Sequence, residues 1–592
     1  MRTLVILGIF IVNIHSLSAQ KLVPTNFLFR SLAVGNTDST VNNMRSNVIT
    51  EIILKEDLQT NSTSVWLGTG LGVSVIIDSD TVEAIPDTAG LANSLSSSST
   101  ETTTNRLPQG GISAMAAGSD GTLFIAFAGS ENDIPVGKGF AFTANASAFN
   151  ATDSTINWTY FNQQIENSDK PYFEFWQFKS EALPITVPHQ NVTYDIALSH
   201  QDEDTSYAFT ASWAGGLRRL KFKNERNANG DVIGLIPIKW ERVPLPMDDQ
   251  FELKTCELTS YDTVPDPYDP PNEMLIIKDY YFNPRDPIDG GNHNHKVFSI
   301  LTYGDTIWVG TANGINRGIF GGYSQLFGYC IDWQHYSYPA YGLSGNFVVG
   351  LALQIHKGKR VIWAATVNAD DPTEQRGVSY TNNDGLSWNT TLLGERVYNI
   401  TAQDSLVFAA TANGLWKTED GINWAKYKPA QQHIPYSTDE VLANEVYSVA
   451  FDTSDNSIWV GTGDGVAHSY DLDGLDWKIF RAEYDINENY AYPNPFSPYT
   501  HNVLGGDGYV RFHTNEWSES SEIKIDVYNF AMEKVFARSF DRTATSSGAL
   551  KWNGRDMEGR LVNNGVYFVK LTYPEGYNIK PSPHWVKLIV VK

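Results

Sequence analysis

The sequence predicts an all-β protein in which a seven-bladed β-propeller is followed by an immunoglobulin-like β-sandwich. One short phrase recurs along the chain: an aliphatic residue, an aromatic residue, two small or aliphatic residues and usually a threonine. Repetition at intervals of roughly 40–50 residues is typical of propellers and solenoids, because one small sheet cannot bury its faces alone. The 47 glycines and the aromatic content of 12% suit many short strands joined by tight turns.

Seven copies of the phrase predict seven blades. Five copies are close to one another, at residues 65–69, 307–311, 362–366, 407–411 and 458–462. Two are looser, at residues 123–127 and 208–212. Alternating runs that begin at Val297, Phe347, Val397 and Val446 precede the last four close copies. These runs predict the innermost strand of each blade, with the phrase as the second strand.

The N-terminus predicts export from the cytoplasm. Arg2 is followed by an apolar run over residues 4–14, and Ala19 provides a small residue before Gln20. This order is that of a signal peptide over residues 1–19, with a secreted or outer-surface mature protein. No later segment has transmembrane length. The net charge of −24 argues against nucleic acid or an anionic membrane as a partner.

The two cysteines leave two alternatives open. Cys256 and Cys330 can form a disulfide in an oxidising compartment, or they can remain as buried thiols. Two cysteines without suitably spaced histidines or carboxylates do not make a zinc site, so no metal site is predicted. No cofactor is predicted either, although the acidity of the chain leaves Ca²⁺ binding possible.

A second series of aromatic residues is expected to begin the outer strand of the blades and to pack between blades; it comprises Trp158, Trp240, Trp333, Trp388, Trp424 and Trp477. Three of these tryptophans end segments that contain Asp-Gly, at residues 381–388, 418–424 and 470–477. The segments resemble the Asp-box of sialidase-like propellers. The Trp-Val-Gly-Thr phrase is similar to repeats of extracellular sensor propellers attached to two-component regulators. The resemblance implies a structural turn role for Asp384, Asp420 and Asp473.

Candidate ligand-binding residues come from the long insertions of the early blades, because insertions between repeats commonly carry specificity. Tyr172 and Trp176 belong to an aromatic cluster beside Glu174, and rings next to acids suit a carbohydrate site. The same cluster is also consistent with a strand that is buried on both faces. His293 and His295 would point to one side of a strand, but a solvated loop is the simpler interpretation. Catalytic residues cannot be assigned, since no nucleophile elbow, phosphate loop or HExxH motif occurs.

The C-terminal part, residues 487–592, has its own pattern. Alternating runs at residues 509–513, 523–528, 534–539, 565–573 and 585–591 predict an antiparallel sandwich. The segments Tyr-Pro-Asn-Pro-Phe at 492–496, Trp-Asn-Gly-Arg-Asp at 552–556 and the basic-apolar ending resemble the type A sorting domain of type IX secretion cargo. They are also similar to the immunoglobulin-like domain of hook-capping proteins. Met532 departs from this pattern, because the family usually has Gly there.

These observations predict a secreted or cell-surface propeller, over residues 20–486, that binds a glycan or a protein and is exported through its C-terminal domain. The resemblance implies the type IX translocon as a partner. The alternative is an extracellular glycoside hydrolase of the Asp-box type. A pair of carboxylates in the central funnel would favour the hydrolase, and a funnel of small and apolar groups would favour binding.

Overall fold

The computed structural model describes most of the chain after residue 43. The described ranges are 44–57, 62–77, 81–85, 87–88, 102–104, 106–118, 121–131, 134–144, 146, 156–163, 172–175, 178–181, 191–200, 205–226, 232–256, 261–265, 273–277, 293–324, 328–369, 371–427, 430–434, 437–440, 445–470, 472, 477–482, 489–492, 494–499, 508–513, 522–541, 550–572 and 583–592. The predicted signal peptide lies outside them.

The described elements are nearly all strands. In the first half of the chain they are β1 (Ile49–Asp57), β2 (Ser62–Thr69), β3 (Gly72–Ile77), β4 (Thr81–Ala84), β5 (Asp87–Thr88), β6 (Thr102–Thr104), β7 (Leu107–Pro108), β8 (Gly111–Ala117), β9 (Leu123–Glu131), β10 (Ile134–Thr143), β11 (Trp158–Phe161), β12 (Tyr172–Phe175), β13 (Phe178–Glu181), β14 (Thr193–His200), β15 (Thr205–Ser212), β16 (Gly216–Arg226), β17 (Val232–Arg242), β18 (Glu252–Lys254), β19 (Tyr261–Pro265) and β20 (Glu273–Ile277).

A short 3-10 helix (His293–His295) precedes the strands of the second half. These are β21 (Val297–Tyr303), β22 (Thr306–Thr311), β23 (Gly314–Ser324), β24 (Gly328–Tyr336), β25 (Phe347–His356), β26 (Lys359–Val367), β27 (Gly377–Thr381), β28 (Asn389–Thr391), β29 (Val397–Gln403), β30 (Leu406–Thr411), β31 (Gly414–Thr418), β32 (Ala425–Tyr427), β33 (Ala430–Ile434), β34 (Ser437–Glu440), β35 (Val446–Asp452), β36 (Ser457–Thr462), β37 (Gly465–Ser469), β38 (Lys478–Phe480), β39 (Tyr490–Tyr492), β40 (Val510–His513), β41 (Glu522–Tyr528), β42 (Lys534–Asp541), β43 (Lys551–Trp552), β44 (Gly565–Thr572) and β45 (His584–Val590).

The protein is a β-propeller. Antiparallel sheets are formed by β1–β4, by β8–β11 with β6 added outside, by β14–β17, by β21–β24 with β18 added outside, by β25–β28, by β29–β32 and by β35–β38. We number these sheets as blades 1 to 7. The first strand of each blade packs against the first strand of the next, and β35 packs against β1. The described strands therefore close a ring of seven sheets, and the repeated phrase is the second strand of every blade, as predicted.

The threonine of the phrase holds the turn between the second and third strands. In four blades its hydroxyl donates to the carbonyl three residues later, at 2.8–3.1 Å, and accepts the amide two residues later, at 3.0–3.2 Å; these residues are Thr69, Thr311, Thr411 and Thr462. A glycine of positive φ follows each, which lets the chain reverse tightly. The Thr-x-x-Gly spacing thus has a physical cause.

Neighbouring blades are joined by tryptophan pairs. The phrase tryptophan of one blade meets, edge to face, the tryptophan at the start of the fourth strand of the next. The pairs are Trp66–Trp158 at 6.3 Å, Trp308–Trp388 at 6.1 Å and Trp363–Trp424 at 6.4 Å. Edge-to-face contact is a preferred aromatic geometry. Trp158, Trp388 and Trp424 of the second series therefore pack between blades, as predicted. The prediction that each member begins the outer strand is wrong for Trp240 and Trp333, which lie inside β17 and β24 because these strands extend further toward their N-terminal ends.

The ring closes without exchange of a strand between its ends, since β1–β4 and β35–β38 each come from one stretch of chain. Asn47 makes the closing contacts: its carbonyl accepts the Gly465 amide at 2.6 Å, and its side-chain oxygen accepts the Ala482 amide at 2.6 Å. Met44, Ile49 and Trp459 share the apolar cluster at this seam. Closure rests on side-chain packing and a few backbone bonds.

Two insertions combine into an accessory sheet of order β12-β13-β20-β19. The aromatic cluster at 172–178 is therefore a hairpin with Phe175 opposite Phe178, rather than one continuous strand. Within blade 4, Cys256 and Cys330 form a disulfide that links the segment after β18 to β24. Of the two alternatives open from the sequence, the disulfide is the one found.

The C-terminal strands form two sheets, β39-β40-β43 and β42-β41-β44-β45, which share one apolar core. The Pro-rich segment pairs with the last strand: the Phe496 amide donates to the Ile589 carbonyl at 2.8 Å, and the Asn494 side chain bonds both Lys587 and Ile589. In the hairpin between β41 and β42, Met532 has a φ of 62°. Within the described ranges, no helix has the length and apolar character needed to cross a bilayer.

Candidate functional site

The first strand of every blade carries a β-bulge at the same position. Pairing with the second strand skips one residue in each, and the skipped residues are Thr50, Ser113, Tyr194, Phe298, Val349, Tyr398 and Tyr447. A bulge leaves one residue outside the ladder and bends the strand locally. Seven bulges at one level therefore give the centre of the ring a common geometry.

A cavity of about 190 Å³ lies among these bulges. Its walls combine the bulge residues and the residues that follow them, from all blades except blade 2; they are Thr50, Glu51, Tyr194, Asp195, Phe298, Ile300, Val349, Gly350, Leu351, Tyr398, Asn399, Ile400 and Tyr447. We call this space the channel cavity. Enclosure by first strands on several sides is what a propeller's centre offers a ligand.

The position directly after the bulge is small or amide-bearing in five blades and acidic in two. The five are Ala114, Ser299, Gly350, Asn399 and Ser448, and the two acids are Glu51 in blade 1 and Asp195 in blade 3. Blade 2, which lies between the two acids, contributes the small residue Ala114. Glu51 and Asp195 therefore face the same cavity with little between them.

The Asp195 carboxylate is fixed by backbone amides. One oxygen accepts the Ile196 amide at 2.8 Å, and the other accepts the Ile300 amide of blade 4 at 2.7 Å. Burial raises the pKa of Asp195 to about 7, although these two amide bonds act to lower it. The side chain keeps partial access to the cavity. Water confined to a narrow channel screens charge poorly, so the enclosing strands still disfavour the ionised carboxylate.

Glu51 differs from Asp195 in having no fixing bonds. Its carboxylate has no hydrogen-bond partner among the described residues, and its side chain is partly accessible through the cavity. Burial, with a smaller contribution from the charge of Asp195, raises the pKa of Glu51 well above its usual value. Glu51 is thus the acid that remains available to a ligand.

Aromatic rings form much of the remaining wall. Tyr194 lies 5.7 Å from Phe298, and Tyr398 lies 5.5 Å from Tyr447, measured between ring centroids. Burial raises the pKa of Tyr194 and of Tyr398, so both phenols stay neutral at physiological pH. The cavity therefore combines two acids, four rings and aliphatic side chains.

The residues predicted from sequence as ligand contacts lie outside the channel cavity. Tyr172 begins β12 of the accessory sheet, and Trp176 lies outside the described residues. His293 and His295 occupy a 3-10 helix and not the strand that would place them on one side. Burial, helped by the nearby positive charge of Arg242, lowers the pKa of His295 well below its usual value. Their role in ligand binding stays a prediction.

The Asp-Gly turns differ from each other in detail. In blade 6, Asp420 accepts the amides of Ile422 and Asn423 at 2.8 and 2.7 Å, which lowers the pKa of its carboxyl. In blade 5, Asn383 makes the corresponding local bonds, to the Ser387 amide at 3.1 Å and to the Thr381 hydroxyl.

The side chain of Asp384, expected from the sequence to bond its own turn, instead reaches across to another blade. It forms ion pairs with Arg360 of its own blade and, at 3.9 Å, with Arg317 of blade 4. The blade 5 turn is one residue longer, and this moves the aspartate out of the bonding position. Asp473 lies outside the described residues.

The sequence did contain a signal for the channel cavity. Each first strand has an aliphatic residue, or Thr193 in blade 3, then the bulge residue, then a mostly small residue; this last position is an acid only at Glu51 and Asp195. The pattern becomes visible only when the seven strands are aligned by their bulges. Among the described residues, no three His, Cys, Asp or Glu side chains come close enough to hold a metal ion.

Comparison with known proteins finds only distant similarities. No protein-family model matches the chain, and no curated protein matches it. Among solved structures, PorZ of Porphyromonas gingivalis, a bacterial surface component of the type IX secretion system, is 14% identical with a TM-score of 0.27. That match covers 89% of this chain and 64% of PorZ, so this chain spans less than two thirds of PorZ's length.

Two further solved structures are also only distantly similar to this chain. YCF48 from Cyanidioschyzon merolae is 12% identical with a TM-score of 0.35, and the match covers 74% of this chain and 99% of YCF48. The extracellular domain of a hybrid two-component system of B. thetaiotaomicron is 11% identical with a TM-score of 0.19, covering 93% and 81%. Similarities this distant assign no function.

Proposed function

We propose that this protein is a secreted or cell-surface binding protein whose ligand site is the channel cavity of the propeller. The observation that carries the proposal is the unpartnered Glu51 carboxylate in a cavity walled by Tyr194, Phe298, Tyr398 and Tyr447. A concave space lined by rings, with a few fixed polar groups, is the usual form of a ligand site. The ligand is a group presented by an extracellular protein or glycan.

A hydrolytic function is the second candidate, because the cavity holds the carboxylate pair that glycoside hydrolases need. Two features weigh against it. Both oxygens of Asp195 already accept backbone amides, which reduces its availability as a nucleophile or base. In addition, first strands surround the cavity, so a polysaccharide would have to thread into the ring instead of lying across an open cleft.

The route of export is part of the proposal. The signal-peptide pattern of residues 1–19 and the sorting-domain motifs of the C-terminal sandwich support secretion to the outer surface through a type IX translocon. Deleting residues 487–592 in the native bacterium should then retain the propeller inside the cell. Fractionation and immunoblotting measure this, and normal surface display of the truncated protein would contradict the proposal.

The binding proposal is tested by filling the channel cavity. Val349 stands at the bulge position where blades 3, 4, 6 and 7 carry an aromatic residue, so Val349→Phe introduces a ring that this position accepts elsewhere. Ile355→Phe is the matched control, because Ile355 lies on the same strand but is exposed. The wild type and both variants are applied to glycan and peptide arrays and to a reducing-sugar assay.

We expect the wild type and Ile355→Phe to bind the same array features, and Val349→Phe to lose them with an unchanged melting temperature. Release of reducing sugar by the wild type, abolished in Val349→Phe, would favour the hydrolase instead. Binding that is equal in all three proteins would place the site away from the channel cavity and refute the proposal.

A further inference from the structure

The channel cavity holds two acids, and neither is paired with a described cation. No described lysine, arginine or histidine forms an ion pair with Glu51 or Asp195, and the raised pKa values have no contribution from a positive group. Elsewhere, the buried acid Glu241 is paired with Arg219 at 2.8 Å. Isolated charge in an enclosed space is costly unless a ligand compensates for it.

The rings around the acids suit a particular kind of cation. An ammonium group is attracted to the faces of aromatic rings within about 6 Å, and protein sites for ammonium ligands combine such rings with a carboxylate. Tyr194 and Phe298 offer one ring pair, and Tyr398 and Tyr447 offer a second pair across the cavity. The Arg396 guanidinium already lies 5.4 Å from the centroid of the Tyr398 ring, so the ring of Tyr194 is the better candidate for contact with a ligand's ammonium.

A divalent metal ion fits these walls less well. Ca²⁺ takes six to eight oxygen ligands and Mg²⁺ takes six. The cavity offers two carboxylates, and the oxygens of Asp195 are already engaged by the amides of Ile196 and Ile300. The described residues contain no cluster of three or more candidate metal ligands. Glu51, the acid without hydrogen bonds, can pair with an ammonium group, but it does not supply the number of oxygen ligands that a metal ion needs.

The aliphatic part of the wall indicates what the ammonium is attached to. Ile300, Val349, Leu351 and Ile400 line the same cavity and would pack against an apolar stem. A lysine side chain has four methylenes below its ammonium, whereas an amino sugar surrounds its nitrogen with hydroxyls that these side chains cannot bond. The volume of about 190 Å³ admits one side chain rather than a folded segment.

We propose that the channel cavity binds a lysine side chain of a partner protein, with the ammonium between Glu51 and the tyrosine rings and the methylene stem against the aliphatic wall. This inference rests on the proposed function, because it names the ligand of the same site. Glu51 is the residue that selects the charge, and Tyr194 supplies a ring face.

The test is isothermal titration of the full-length protein with Nα-acetyl-lysine methylamide. Nα-acetyl-norleucine methylamide has an uncharged stem of similar length and serves as the ligand control, and glucosamine represents the amino-sugar source. Glu51→Gln removes the charge with little change of shape. Glu252→Gln is the matched control, because Glu252 is an exposed glutamate on β18. Tyr194→Phe keeps the ring, and Tyr194→Leu removes it.

We expect the lysine probe to bind and the norleucine probe to bind at least about tenfold more weakly. Glu51→Gln should weaken lysine binding by at least about tenfold, and Glu252→Gln should leave it unchanged. Tyr194→Phe should retain most of the affinity, and Tyr194→Leu should lose several-fold, because the ring face and not the hydroxyl carries the attraction.

Three outcomes would overturn the inference. Equal binding of the lysine and norleucine probes would remove the role of charge, and tighter binding of glucosamine would replace the lysine by an amino sugar. Lysine binding unaffected by Glu51→Gln would exclude this carboxylate. If a neutral ligand binds and Val349→Phe abolishes its binding, the channel remains the site and only the lysine inference fails. If Val349→Phe leaves every ligand bound, the proposed function fails as well.

Discussion

At the scale of single residues, the most informative side chain is Glu51, because it is an acid placed where most blades carry a small residue. Burial and the charge of Asp195 raise its pKa, so its ionisation in the folded state is unfavourable. A carboxyl whose pKa is higher in the folded than in the unfolded state contributes stability at low pH, and this contribution is lost as the pH rises through the folded value.

Because folding raises the pKa of Glu51, the effect of replacing this residue on stability should depend on pH. The substitution Glu51→Gln should stabilise the protein relative to wild type more at pH 8 than at pH 5, because a lower pH favours the protonated wild-type carboxyl, which is the form that burial disfavours less. Urea unfolding of both proteins at the two pH values measures this difference. An equal effect at both pH values would mean that Glu51 is ionised normally.

Met532 provides an independent prediction in the C-terminal sandwich. Its φ of 62° is the left-handed conformation, and its side chain is 53% exposed, so little packing compensates for the backbone cost. Met532→Gly should therefore raise the stability of the sandwich by up to about 1 kcal/mol. Met557→Gly, at another exposed methionine with no positive φ, is the control and should not stabilise. Thermal unfolding followed by circular dichroism decides between these expectations.

Sequence reasoning succeeds for residues whose role is local. The phrase threonines and the glycines after them can be predicted because the bonds they make span only three residues. Sequence reasoning fails where the length of a turn changes by one residue, as at Asp384, whose expected hydrogen bonds are made by Asn383. It also misses Glu51 and Asp195 as a pair, because they lie on different blades and meet only after the ring has closed.

At the scale of elements, the fourth strand of blade 5 depends on the tryptophan that directly precedes it. Trp388 is 5% exposed and packs edge to face on Trp308 of the preceding blade. Trp388→Ala should lower the free energy of unfolding by about 3 to 5 kcal/mol, because it leaves a cavity between two blades. Trp388→Phe should cost clearly less. Chemical denaturation measures both, and a loss below about 1 kcal/mol for the alanine variant would contradict this role.

The strands themselves were predictable, and the accessory elements were not. The alternating runs beginning at Val297, Phe347, Val397 and Val446 match the starts of β21, β25, β29 and β35. The pairing of β13 with β20 could not be predicted, since it joins insertions about 95 residues apart and depends on where the blades place their loops. The bulges were also missed, because an extra residue leaves no strong local pattern.

At the scale of the whole molecule, the ring combines sheets whose strands are close in sequence with a few contacts between residues that are far apart in sequence. The disulfide between Cys256 and Cys330 spans 74 residues. In the chain-entropy description, a loop of this length stabilises the fold by about 4 kcal/mol. The double variant Cys256→Ala with Cys330→Ala should lose a stability of this order, measured against wild type under oxidising conditions. A matching loss in wild type on adding reductant is the control, and no loss in either would refute the prediction.

The seven blades and the closure between β35 and β1 explain why the centre of the ring forms a concave site. Each blade contributes one bulge, and two blades contribute an acid. The ring therefore offers a site that no single blade contains. Variation of bulge and neighbouring residues changes the chemistry of this site without altering the sheets.

The most direct test of this account is a crystal structure of the full-length protein with Nα-acetyl-lysine methylamide. We predict density for the side chain inside the channel cavity, with its nitrogen within hydrogen-bond distance of the Glu51 carboxylate and its methylenes beside Ile300 and Ile400. A ligand bound only on the accessory sheet or on the C-terminal sandwich, with the channel cavity holding solvent alone, would contradict the account.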